Sequence, residues 1–303
     1  MRHSLQRSHA NLLLLAVSLI WGSAFVAQSE GMGGVGPWTF TGTRFLLGSA
    51  IVAPLAWREW RVLAASGVQP VAGDAACIGA LGILLMLGAM CQQIGIVGTT
   101  VTNAGFLTAL YVPLVPLLTW LVIGVRPHWS AWPTSLGCLA GTGLLSDPRS
   151  LALSAGDSWV IASSLFWALH VLFVGRIAER LAAPFLVAGG QFLVCGSISL
   201  CAAAWIETIT LAGLRQACWP IVYAGVVSVG IGFTAQVVGQ RHAPPADAAI
   251  ILSAETVFAA LFGFFLMGDR LGARGLAGCA LILACVIAVQ VAPLMRRPAR
   301  RGQ

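Results

Sequence analysis

Ten apolar runs follow one another along this chain, with only short polar gaps between them. They cover residues 11–29, 38–56, 74–97, 103–123, 130–145, 158–175, 184–205, 217–239, 246–267 and 271–292. An α-helix crosses the hydrocarbon of a bilayer in about 20 residues, which is the scale of these runs. In lipid every backbone N–H and C=O must be paired within the spanning segment, so helices are expected. Barrel strands would be shorter and would alternate in polarity. Composition points to the same solvent: 58% of the 303 residues are hydrophobic and 9% are charged, against about a quarter charged in soluble domains. The expected fold is an all-α membrane protein with ten transmembrane helices.

The segment MRHSLQRSHANLLLLAVSLIW begins basic and turns apolar, as a signal peptide does. Its apolar run continues to Gln28 without a convincing cleavage site, so it reads as a retained first helix. The formal charge is +7, and all 17 basic residues are arginines. They lie mainly in the gaps rather than in a dense basic domain, which argues against nucleic acid as a partner. With the N-terminus in the cytoplasm, twelve arginines fall on the cytoplasmic side: 2, 7, 58, 61, 126, 176, 180, 241, 296, 297, 300 and 301. Four fall outside, at 149, 215, 270 and 274. That asymmetry places both termini, including a basic tail at 293–303, in the cytoplasm of a cell in whose inner membrane the protein sits. Tryptophans 38, 57, 60, 129, 132, 159, 205 and 219 lie near expected helix ends, as interfacial anchors do. The eight cysteines all lie in apolar runs with no zinc-ligand spacing, so they read as small core residues and no metal is expected.

The chain also repeats itself. Gln92-Gln93-Ile94-Gly95 matches Gln236-Val237-Val238-Gly239, Asn103-Ala104-Gly105 matches Asp247-Ala248-Ala249, and Gly124-Val125-Arg126 matches Gly268-Asp269-Arg270. All three share an offset of 144 residues, and Ser18-Leu19-Ile20-Trp21 matches Ser164-Leu165-Phe166-Trp167 at 146. Two tandem halves are expected, 1–148 and 149–303. Five spans per half is an odd number, so the second half must be inverted relative to the first. Inverted repeats meeting at mid-membrane are a common architecture of secondary transporters.

SLIWGSAFV, NAGFLTALYVPLVPLLTWLVIG and SAETVFAALFGFFLMGD resemble the drug/metabolite transporter superfamily, of the EamA type, over about residues 12–291. The resemblance implies a ten-helix exporter of small metabolites with a central cavity lined by both halves. It extends to the amino-acid exporters, including the aromatic amino-acid branch. Two departures stand out. The family often has Glu-Pro where this chain has Glu255-Thr256, which puts a proline hinge in the ninth span in doubt. Its acidic residue after the fourth span is Val125 here, while the ninth-span counterpart is kept as Asp269.

Glu255 falls about 12 Å into its helix, near mid-bilayer. A charged carboxylate facing lipid there costs at least ~2.5 kcal/mol, so it should face a partner or a wet cavity. It is a candidate to bind a substrate ammonium or to take up a proton as coupling ion; a helix-tying hydrogen bond is the competing reading. Trp21 and Trp167 could form stacking walls, with ordinary packing as the alternative. Tyr111 stands near the Glu255 position of the other half, and Gln92 and Gln236 are symmetric amides that could bond between helices or touch substrate. His170, one turn from Trp167, reads more readily as a satisfied core histidine than as a ligand. Arg44 could pair with a carboxylate or receive an anion, but lies only six residues past Trp38, which favours snorkelling to the interface. Asn103 and Asp247 are expected to cap helices, and Pro113 and Pro116 to bend the fourth span as a gate or hinge. Gly137-xxx-Gly141 offers a close helix crossing, a weak signal in a chain with 35 glycines.

The expected function is export of small organic metabolites, foremost amino acids, by alternating access, with the chain working as a monomer. There is no G-x-x-x-x-G-K-[ST] and no lysine, so transport would run on gradients and no cofactor is expected. The alternatives are a membrane enzyme using His170 and Glu255 as acid and base, a channel or sensor, or a carrier of other metabolites or drugs. Enzyme motifs such as H-E-x-x-H and G-x-S-x-G are absent.

Overall fold

The computed structural model describes residues 2–67, 72–99, 101–145, 154–262, 264–265 and 272–292, the side chains of 2–5, 72 and 101–103 excepted. Arg149, Asp269, Arg270 and the basic tail lie outside them, as does the side chain of Asn103. The described residues form α1 (Arg2–Gly31), α2 (Pro37–Ala65), α3 (Ala72–Val97), α4 (Val101–Thr108), α5 (Tyr111–Ile123), α6 (Ala131–Leu145) and α7 (Ala155–Leu181). Then come α8 (Pro184–Ile206), α9 (Leu211–Gln216), α10 (Cys218–Tyr223), a π-helical segment (Ala224–Phe233), α11 (Thr234–Gln240), α12 (Pro245–Leu252), α13 (Glu255–Phe262) and α14 (Ala273–Val291). Among the described residues, 8 helical stretches are long and apolar enough to cross a membrane. The second and fifth expected spans are occupied by α2, which carries Arg44 and a charged C-terminal end, and by α6, which has 15 residues.

Local chemistry sets the helix ends. Pro37, Pro184 and Pro245 sit in first turns, where the missing N–H costs nothing. Ser154 and Asp157 form a reciprocal capping box at the start of α7. Gly124 ends α5 with φ 74°, a left-handed conformation that favours glycine. Trp129, Trp159, Trp205 and Trp219 are exposed near helix ends, as the belt of tryptophans anticipated, whereas Trp57 and Trp60 are exposed within α2, which runs on to Ala65. Gly137 and Gly141 do bring α6 against α14: a Cβ on Gly141 would stand 2.9 Å from the Gly278 carbonyl oxygen.

Polar contacts join the helix ends into two groups. At one end of the bundle Arg7 pairs with Asp247, Arg180 pairs with Asp74 at 2.6 Å, and Glu59 accepts the Leu186 N–H at 2.9 Å. At the other, Glu207 accepts the N–H groups of Trp38 and Thr39 at 2.8 and 2.9 Å, which places an anion at the N-terminus of α2. There too Ser154 donates to the Gly98 carbonyl at 3.1 Å and Thr99 donates to Asp157 at 2.6 Å.

Two spans are broken, and at matching places. The chain leaves helical register at Ala109-Leu110, between α4 and α5, and again at Ser253-Ala254, between α12 and α13. These positions are related by the 144-residue offset of the sequence repeat. The first break precedes Pro113, whose ring cannot coexist with a regular turn onto the carbonyl four residues back. The second needs no proline: Ser253 Oγ donates to the Ile250 carbonyl at 2.6 Å and Thr256 Oγ1 to the Ser253 carbonyl at 2.9 Å, drawing backbone acceptors out of the ladder. The doubt raised by Glu255-Thr256 is thus answered, since the span breaks without a proline. Pro116 lies inside α5.

Asp247 does not cap α12. Pro244 holds the N-cap position, and Asp247 sits in the first turn, where its carboxylate takes Arg7 and faces the positive end of the helix. Its repeat counterpart Asn103 lies within the first turns of α4 rather than ahead of it.

A central cavity lined by both halves

The paired breaks place Tyr111 and Glu255 as first residues of α5 and α13, facing a shared space. A cavity of about 550 Å³, its mouth included, opens here. Of the residues expected at a site, Trp21, Gln92, Tyr111, Trp167, Gln236 and Glu255 line it, and so does Arg44. The cavity reaches toward the Gly98–Ser154 end, through Gln28 of α1 and Gln92 of α3. Toward the Arg7–Asp247 end it is closed by α12, whose residues from Ala246 to Leu252 are buried.

Its two charged walls come from different helices. Glu255 is 6% exposed and, among the described residues, makes no hydrogen bond or ion pair. Arg44 is 3% exposed, and its guanidinium stands over the rings of Phe40 and Phe45, 5.3 and 5.1 Å from their centroids. Its Nε is buried without a partner among the described residues. Arg44 therefore does not snorkel. It lies on the inward face of α2 with Thr41, Phe45 and Gly48, so its length carries it into the bundle rather than along lipid.

The remaining wall is aromatic. Phe233 lies against Trp21 (centroids 4.5 Å apart) and stacks on Trp167 (5.8 Å, 23° between planes). Trp21 Nε1 donates to the Ser228 carbonyl at 3.4 Å, while Trp167 Nε1 is buried without a partner among the described residues. Ser228 and Phe233 both belong to the π-helical segment, whose wider turns re-aim side chains and backbone carbonyls toward the cavity. The equivalent stretch of α3 in the first half is regular α-helix. Gln92 Nε2 donates to Thr108 Oγ1 at 3.0 Å, and Gln236 Oε1 is buried with no partner among the described residues. Tyr111 donates to the Ala249 carbonyl at 3.4 Å.

His170 does not line the cavity but packs edge-on against two of its rings, 6.3 Å from the Trp167 centroid and 6.5 Å from that of Phe233. It is fully buried behind the cavity wall, with Nε2 2.8 Å from Gln191 Oε1, which makes it a core histidine. Phe25, Gln28, Thr108, Ser228 and Phe233 line the cavity without having been singled out. Thr108 and Ser228 could have been found as polar residues within apolar runs; the phenylalanines carry no such signal in a chain with 13 of them.

The model of the EamA-like transporter family matches residues 9–147 and again 154–290. An uncharacterized transporter of Archaeoglobus fulgidus is 27% identical over 293 residues, spanning 94% of this chain and 87% of its own. The uncharacterized transporter YwfM of Bacillus subtilis is 23% identical over 292 residues, spanning 95% and 96%. A solved crystal structure, 21% identical, shares the fold with a TM-score of 0.74 over 96% of this chain and the whole of that one. The chain is a multi-pass membrane protein that belongs to the EamA-like transporter family and carries that family's domain twice.

Proposed function

We propose that the protein is a secondary transporter for small zwitterionic metabolites, foremost amino acids with large apolar side chains, working by alternating access. The cavity carries this reading: a carboxylate, Glu255, and a guanidinium, Arg44, line one space whose remaining walls are aromatic. Glu255 would take the substrate ammonium and Arg44 its carboxylate, while Trp21, Trp167 and Phe233 receive an apolar side chain. A cationic drug would use Glu255 and the rings but would leave Arg44 buried opposite a like charge, which disfavours that alternative.

The architecture in this proposal is ten spans in two inverted halves, in the inner membrane with both termini cytoplasmic. Matching breaks at the 144-residue offset support duplication. Inversion is supported by end contacts of the repeat-related third and eighth spans. Asp74, at the start of α3, pairs with Arg180. Ala217, just before α10, packs on Gly34 at the opposite end of α1 from Arg7. The test is counterflow of labelled phenylalanine and leucine by purified protein in liposomes. Saturable flux stimulated by unlabelled amino acid on the far side is expected. Flux without saturation or trans-stimulation, or consumption of the substrate, would overturn the carrier reading.

A further inference from the structure

The end of the cavity now closed shows how the other end would close. There Tyr111 of α5 donates its hydroxyl to the Ala249 carbonyl of α12, and α12 packs closely on α5. At the 144-residue offset the counterparts are Glu255 for Tyr111, Gly105 for Ala249, α13 for α5 and α4 for α12. The backbones match in detail, because Ser253 N–H donates to Ala249 O and Ala109 N–H to Gly105 O, both at 3.1 Å. The second set is nevertheless unjoined. Among the described residues α13 barely touches α4, and nothing lies within 4 Å of where a Cβ on Gly105 would stand.

A carrier that alternates exchanges these two arrangements, so this inference rests on the carrier reading. In the exchanged state Glu255 does for Gly105 what Tyr111 does for Ala249. A phenol always has a hydrogen to donate; a carboxylate has none until it takes up a proton. The glycine at 105, in place of alanine, lets α4 approach closely enough for a side chain shorter than tyrosine. We propose that protonated Glu255 closes the Gly98–Ser154 end of the cavity by donating a hydrogen bond to the Gly105 carbonyl of α4. An empty carrier with a bare carboxylate cannot make this contact, and a substrate ammonium neutralises the same group, so proton and substrate occupy Glu255 in turn.

Few other ionisable groups face Glu255. Arg44 of α2 lines the same cavity, and Tyr111 of α5 couples to it electrostatically. The stretch of α1 packed nearby, from Trp21 to Gln28, holds no ionisable side chain, and neither does α4. α14 contributes Cys279 and Cys285, and α6 contributes Cys138.

Hydrogen–deuterium exchange of the full-length protein in lipid nanodiscs, without substrate, at about pH 5.5 and about pH 8.5 tests this, after correction for intrinsic exchange. Acid should protect amides of 101–108 and expose those of 245–252, and base should do the reverse. The ratio should shift by up to about tenfold per pH unit, the limit for one linked proton. Glu255→Gln donates without a proton and should hold the acid pattern at both pH values. Asp247→Asn should keep the switch, and Tyr111→Phe should lower protection of 245–252 in base. A wild-type pattern indifferent to pH, or a Glu255→Gln protein that switches like wild type, overturns the proposal. So does a switch lost in Asp247→Asn, or unchanged protection in Tyr111→Phe. Trans-stimulated flux that persists without the pH switch defeats this inference alone; absence of such flux defeats the carrier reading itself.

Discussion

Replacing Arg44 by glutamine removes the only cation that lines the cavity among the described residues, while keeping a long polar side chain. The guanidinium lines the cavity, lies within 5.3 Å of two ring centroids and, among the described residues, has no hydrogen-bond partner at Nε. A charge-assisted hydrogen bond to a carboxylate contributes about 1.5–3 kcal/mol. That corresponds to roughly a tenfold to hundredfold loss of affinity. The fold should survive, because removing a buried cation also removes its desolvation cost. Competition against amino-acid counterflow by phenylalanine and by its decarboxylated amine, phenethylamine, isolates the effect. Phenylalanine should lose roughly tenfold to a hundredfold, and phenethylamine less than about threefold. Equal losses for both would show that Arg44 holds the helices rather than the carboxylate, and the assignment would fail.

Further predictions concern packing, the closed end and pH. Gly278→Val should cost about 1–3 kcal/mol, because its Cβ would lie 2.4 Å from the Gly141 carbonyl oxygen. Gly105→Ala meets no described atom within 4 Å and should leave Tm unchanged or raised, so thermal unfolding in detergent should separate the two. Asp247→Asn breaks the pair with Arg7, a half-exposed partner, and should speed amide exchange in α12 by up to about fivefold. Unchanged exchange would mean that the pair does not hold that end shut. Partial burial at the end of α2 pushes the Glu59 carboxyl above its ordinary value, opposed by hydrogen bonds from the Leu186 and Phe185 backbone. The folded state then holds this proton more tightly than the unfolded chain, so Glu59 makes stability fall as pH rises above about 4.5. Glu59→Gln should flatten that fall in a Tm–pH series; an unchanged slope would remove Glu59 as its source.

Much of the cavity was legible because polar groups in oil are conspicuous. Glu255, Gln92, Gln236 and Tyr111 had to face something other than lipid, and the repeat paired Trp21 with Trp167. Arg44 was misjudged because sequence distance from Trp38 measures depth and says nothing about which side of the helix a residue takes. His170 does neighbour Trp167, their ring centroids 6.3 Å apart, but its Nε2 turns to Gln191, a partner that no spacing announces. Phe233 owes its place to a π-helical segment, and the run AGVVSVGIGF gives no periodic sign of one. Asp247 drew attention as a cap because it follows Pro244-Pro245. The prolines themselves start the helix, which frees its carboxylate for Arg7.

The central claim, that two halves open one cavity to each face in turn, is tested most directly by distances measured across both ends of the same molecule. Spin labels at Arg126→Cys and His242→Cys, one in each half, span the Arg7–Asp247 end, and labels at Val97→Cys and Leu211→Cys span the other. The exposed Cys201 and Cys218 would be replaced by serine. The account predicts two distances at each end, with populations that move in opposition when pH or substrate changes. Single fixed distances, or two ends that open and close together, would contradict it.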